Sequence, residues 1–167
     1  MNYKQDLLDP VLPLVDLFLC DLKHMDPAAH RRYTGVSNEL IIANLRHVVA
    51  SGADVVIRIP VVPGHNGTED NLRSTASFLA DELGGRIRQV QLLPFRKLGE
   101  QKYLSLGIEY PMSEFRSPPR ESWERDIRHF AAMMSTYGLE VAAGAGSWVG
   151  RTKGTAIERN PDRAAIC

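Results

Sequence analysis

Apolar residues cluster along this chain in three short runs, Leu14 to Leu19, Val55 to Ile59 and Val90 to Leu93. Each predicts a strand buried on both faces. Between and after the runs the period lengthens to that of a helix. From Asn38 to Ser51 the residues Ile41, Leu45 and Val48 recur at spacings of four and three, and Gly52 supplies a stop. A second pattern puts Leu72, Ala76, Leu79 and Leu83 on one face, begins after an N-cap at Thr68 with Glu69 and Asp70 in the first turn, and ends at Gly84-Gly85. A third is announced by Ser117-Pro118-Pro119 and aligns Trp123, Ile127, Phe130 and Met134. Strand, helix, strand, helix, strand is the order of parallel crossovers, so the fold class is α/β, either an open doubly wound sheet or part of a barrel. Both architectures place function at the carboxyl ends of the strands. Residues 1–143 read as one domain, and 144–167, without periodicity, as a flexible tail.

Composition narrows the function classes. A chain of 167 residues with 44% hydrophobic residues is enough for one cored domain. Twenty basic residues balance twenty acidic ones, which argues against nucleic acid and against an anionic membrane surface as partners. Residues 1–10 carry charge and no apolar run, and no stretch approaches the roughly 20 apolar residues of a membrane span. The expectation is a cytoplasmic protein. Two cysteines, Cys20 and Cys167, stand far apart, so neither a disulfide framework nor a zinc knuckle is expected, and Cys20 in its apolar run reads as a buried thiol. The five histidines show no ligand spacing on one element.

The candidate chemistry lies where the strands end. Alternation puts Asp21 and Lys23 on the face of Leu17 and Leu19, projecting together past the end of the first strand. Such a pair binds a zwitterion, offers a Schiff-base amine, or is an exposed ion pair. In the second strand Arg58 faces away from Val55, Ile57 and Ile59, and a cation there calls for an anion or a cavity mouth. Pro60 to Gly67 follows as a rigid loop, either a plain connection or a ligand contact. The third strand leaves through Pro94-Phe95-Arg96-Lys97, so Lys23, Arg58 and Arg96 are candidates to converge on one anionic group.

Four segments in order carry a resemblance. They are Val15 to Asp26, with Asp21-Leu22-Lys23; His30 to Asn38, reading His-Arg-Arg-Tyr-Thr-Gly-Val-Ser-Asn; Arg58 to Asn66, with Pro63-Gly64; and Leu92-Leu93-Pro94-Phe95 followed by Leu98-Gly99 and Lys102-Tyr103. Together, from about Leu14 to Tyr137, they resemble the C-terminal part of the glycyl-radical enzyme activating enzymes, radical S-adenosylmethionine proteins of the kind that activates pyruvate formate-lyase. The resemblance implies the C-terminal half of a partial (β/α)6 TIM-like barrel. It implies S-adenosylmethionine and a [4Fe-4S] cluster as cofactors, a glycyl-radical enzyme as partner, and a flavodoxin or ferredoxin as reductant. It places Asp21 and Lys23 at the S-adenosylmethionine and cation site, with Lys23 facing the methionyl carboxylate, and makes Arg58 a second contact. Arg96 stands where the family has a histidine near the ribose.

The sequence departs from the family in having no Cys-x-x-x-Cys-x-x-Cys motif to ligate the cluster. The chain by itself is therefore expected to be inactive. The alternatives are a non-catalytic module that docks on a glycyl-radical enzyme and, resting on Lys23 alone, a Schiff-base aldolase-like barrel. A half-barrel also bares a strand edge and apolar faces, which predicts self-association.

Overall fold

The structure is a computed structural model, and it describes residues 1, 3–97, 99–144 and 164–166. Strands β1 (Val15–Asp21), β2 (Val55–Val61), β3 (Gln89–Pro94), β4 (Val141–Ala143) and β5 (Ala164–Ile166) form one sheet in the order β4-β3-β2-β1-β5. Every pairing is parallel. Parallel neighbours need a crossover rather than a hairpin, and helices provide it: α1 (Pro27–Thr34) and α2 (Glu39–Ala50) join β1 to β2, α3 (Glu69–Ser77) joins β2 to β3, and α4 (Glu100–Ser105) and α5 (Arg120–Ser135) join β3 to β4.

The two faces of the sheet differ in what they meet. Phe18, Cys20, Val55, Ile57, Ile59, Val90 and Leu92 join Leu45 and Val48 of α2, Leu72 and Ala76 of α3, and Ile127 and Met134 of α5 in one buried cluster. Side chains of this kind each contribute about 1.5–3 kcal/mol when fully buried. Val56, although fully buried, stands outside that cluster because alternation turns it to the opposite face. The opposite face is layered by register: Leu19 lies beside Val56 and Val56 beside Gln89, and two residues further along Asp21 lies beside Arg58 and Arg58 beside Gln91. The result is the arc of a TIM-like α/β barrel, with helices behind it and a polar row near the carboxyl ends of its strands.

The three expected strands exist, each one or two residues longer at its carboxyl end than its apolar run. The first strand begins at Val15, and Leu14 is 59% exposed in the turn before it. The second expected helix is regular only to Ser77, after which Phe78–Glu82 widens into a π turn that still buries Leu79 and Leu83. In α2 the buried stripe runs through Ile42, Leu45, Val48 and Val49, and Ile41 sits beside it at the rim. Three connecting elements had no apolar run to announce them. α1 buries only His30 and is made by its cap, Asp26, whose Oδ1 accepts the Ala29 N–H at 2.6 Å, with Pro27 in the first turn. α4 buries nothing, and β4 is three residues long. Of the expected flexible tail, 145–163 and Cys167 lie outside the described residues, while β5 runs beside β1 from Val15 to Phe18.

Candidate functional site

The register that places Asp21 opposite Arg58 brings their side chains together. The Arg58 guanidinium donates from Nε to Asp21 Oδ1 at 2.9 Å, and its Nη2 lies 2.9 Å from the same oxygen. The side chains are 27% and 37% exposed respectively, so the pair sits at the lip of the site rather than in the core. Arg58 has thus found the anion that a cation on a buried strand requires. Lys23, two residues beyond Asp21, is exposed on the same rim. Asp21, Lys23 and Arg58 together line a cavity of about 640 Å³ whose other walls include Cys20, His30 and Val36. One carboxylate against two cations leaves a local excess of one positive charge.

Arg96 does not join this group. It is exposed beyond Phe95, and it is absent from the cavity wall. Arg96 stands two residues past Pro94, the end of β3, and off the cavity wall, so three cations at three strand ends do not become three cations at one point. The site brings together Asp21, Lys23 and Arg58, and leaves Arg96 apart.

Side chains not singled out from sequence complete the rim. An aromatic chain crosses it: His24 to Tyr33 at 6.2 Å between ring centroids, Tyr33 to His65 at 5.0 Å, His65 to Phe115 at 6.3 Å and Phe115 to Phe95 at 5.1 Å. Burial pushes the His24 imidazole below its ordinary pKa, and its Nδ1 accepts the Asp26 N–H at 3.0 Å, as a neutral ring can. The Pro60 to Gly67 loop also does more than connect, because Asn66 donates from Nδ2 to the carbonyl of Lys23 at 2.8 Å. The only advance signal for it was an asparagine among turn formers.

The donors among the described residues do not fit an iron-sulfur cluster. Among the described residues no three His, Cys, Asp or Glu side chains come together as a metal site. Cys20 is the one described cysteine, and desolvation pushes its thiol up to about 11, so it stays protonated at neutral pH when a cluster needs thiolates. Cys167 lies outside the described residues. The described residues also contain no helix long and apolar enough to cross a membrane.

Comparison with known proteins agrees with this architecture. No protein-family profile matches the chain. It is 42% identical over 134 residues to the (2S)-3-sulfopropanediol dehydratase activating enzyme of Klebsiella oxytoca, covering 80% of this chain and 42% of that one. It is 41% identical over 110 residues to the choline trimethylamine-lyase activating enzyme of Oleidesulfovibrio alaskensis, covering 65% of this chain and 36% of that one. Its fold is similar to the crystal structure of a domain of the pyruvate-formate lyase-activating enzyme from Bacteroides vulgatus, with a TM-score of 0.64 and 29% identity over 84% of this chain and 74% of that one. The chain spans less than half the length of these curated relatives, and the partial span fits the C-terminal part expected from the order of its motifs. By sequence and by fold, this chain belongs with the glycyl-radical enzyme activating enzymes, a part of whose length it represents.

Proposed function

We propose that this chain supplies the carboxylate-binding side of the S-adenosylmethionine pocket of a glycyl-radical enzyme activating enzyme. In such an enzyme a [4Fe-4S] cluster, held by residues other than those the structure describes, would supply the electron for reductive cleavage of S-adenosylmethionine. The observation that carries the reading is the Asp21–Arg58 pair, held across the β1–β2 ladder at the carboxyl end of the sheet, with Lys23 on the same cavity.

The chemistry of these three residues is electrostatic. Asp21 holds the Arg58 guanidinium by two contacts to one oxygen, so the arginine is oriented before any ligand arrives. The remaining positive charge belongs to Lys23, whose compact ammonium takes an anion without demanding a bidentate fit. A methionyl carboxylate matches that charge. Lys23 stands exposed at the rim, unlike the desolvated pocket that activates an amine for Schiff-base attack; its exposure favours an ion-pairing role. Arg96, exposed and off the cavity wall, is given no ligand contact in this reading. The partner is a glycyl-radical enzyme, the reductant a flavodoxin or ferredoxin, and the compartment the cytoplasm.

No step of radical chemistry is assigned to this chain, because its described donors do not fit the cluster. Anaerobic reconstitution with iron and sulfide checks this. The expected product shows no [4Fe-4S] absorption and forms no 5'-deoxyadenosine from S-adenosylmethionine under reduction. A stable cluster with S-adenosylmethionine cleavage would refute the assignment. The pocket is tested separately by equilibrium binding of S-adenosylmethionine, which Lys23→Met weakens and Arg96→Ala leaves nearly unchanged.

A further inference from the structure

From Lys23 to Met25 the backbone belongs neither to β1 nor to α1. Its polar groups therefore need partners that a strand or helix would otherwise provide. Three asparagines from three different segments provide them. Asn66 donates from Nδ2 to the carbonyl of Lys23 at 2.8 Å and to that of Pro60 at 2.6 Å. Asn38, at the start of α2, donates from Nδ2 to the carbonyls of His24 at 2.9 Å and Met25 at 2.7 Å. Asn71, in the first turn of α3, accepts the Met25 N–H at Oδ1 at 2.9 Å.

Asn71 and Asn66 are also tied to each other, and Asn66 to the residue that follows β2. Asn71 donates from Nδ2 to the Asn66 carbonyl at 3.0 Å, and Asn66 Oδ1 accepts the Val62 N–H at 2.7 Å. None of the three is more than 6% exposed. Asn66 and Asn71 are bonded at both ends of their amides, and buried amides so held fix geometry closely, since a small shift leaves a polar atom unpaired. Asn66 is the centre of this set. A single amide nitrogen holds the carbonyl under Lys23 and the carbonyl of Pro60, two residues beyond Arg58 on β2.

We infer that Asn66, supported by Asn38 and Asn71, is a positioning residue that sets the distance between Lys23 and Arg58 so that both cations address one carboxylate. The inference rests on the carboxylate pocket proposed above. Asn66 touches neither cation's charged group; it acts through the backbone that carries Lys23.

The test compares S-adenosylmethionine with its decarboxylated form, which lacks only the carboxylate, by calorimetric titration of the full chain. Wild type is expected to prefer the carboxylate ligand by about tenfold, the scale of one charge-assisted contact. Asn66→Ala adds no charge, so a changed preference reports geometry. In Asn66→Ala the preference falls to about twofold while affinity for the decarboxylated ligand stays within about twofold of wild type. Combining it with Lys23→Met gives no further loss, because the two act on one contact. If Asn66→Ala does not fold, Asn71→Ala removes the Met25 amide bond from a helical position and is expected to give the same selective loss. Equal weakening of both ligands, or an unchanged preference in a folded variant, overturns the inference. A wild-type chain with no preference defeats the pocket reading itself, and the inference with it.

Discussion

Asp21, Arg58 and Lys23 were visible in the sequence as residues, and only partly as a constellation. Alternation along a strand is enough to turn Arg58 away from Val55, Ile57 and Ile59, and to put Asp21 and Lys23 on one side of β1. That Asp21 meets Arg58 depends on register, which two separate strands do not announce; the ladder places them as neighbours, and the 2.9 Å contact follows. Arg96 shows the opposite outcome: it is exposed two residues past the end of β3 and off the cavity wall. The asparagines were not visible as site residues at all, because an amide that holds a loop has no spacing signature of its own. Cys20 gives a prediction at this level. Its thiol is held at about 11, chiefly by desolvation, against a reference of 9.0. Below pH 9 the thiol is protonated in both folded and unfolded chains and the shift has no effect on stability. Above pH 9 the unfolded chain ionises first, so stability falls as the pH rises towards 11, by about 3 kcal/mol in all. Thermal melts at pH 8 and pH 10.5 are expected to differ less in Cys20→Ala than in wild type. An identical pH dependence in both would show that the thiol plays no part.

Elements with a long apolar period were readable, and elements defined by their ends were not. β1, β2 and β3, with α2, α3 and α5, each bury a continuous set of side chains, and that set is what periodicity detects. α1 exists because Asp26 caps it and Pro27 opens it, which involves two residues rather than a stripe. The β2–α3 connection is shaped by packing in a way that residue type only hints at. A Cβ on Gly67 would lie 2.9 Å from Val61 Cγ1 and 3.1 Å from the Val62 carbonyl oxygen, and neither atom is the free end of a long side chain. Gly67→Ala is therefore expected to destabilise the chain by about 1–3 kcal/mol. Denaturant unfolding measures this, and a variant as stable as wild type would show that the loop yields. Because the same loop carries Asn66, a folded Gly67→Ala should also bind S-adenosylmethionine more weakly.

Taken as a body, the chain is an arc of parallel strands backed by helices, and its apolar surface is not all turned inward. Tyr3 is 62% exposed and Leu7 58%, both beside the cavity, while Leu104 at 72%, Leu106 at 61% and Ile108 at 55% follow one another closely in the sequence after β3. Clusters of this kind promote association. Light scattering coupled to size exclusion is expected to show oligomers at micromolar concentration; a sharp monomer peak would mean that these patches are innocuous. Family membership was readable from four ordered motifs, and the relatives and the fold agree with it. The related activators are named for enzymes as different as a sulfopropanediol dehydratase and a choline trimethylamine-lyase, so the shared motifs carry the family and no one partner.

The central claim is that two strand ends of this chain form a carboxylate site for S-adenosylmethionine. Calorimetric titration of wild type and Lys23→Met with S-adenosylmethionine and its decarboxylated form at pH 7 addresses it most directly. Wild type is expected to bind the carboxylate-bearing ligand about tenfold more tightly, and Lys23→Met to erase most of that difference. Equal affinity of wild type for the two ligands, or a preference untouched by Lys23→Met, would contradict it.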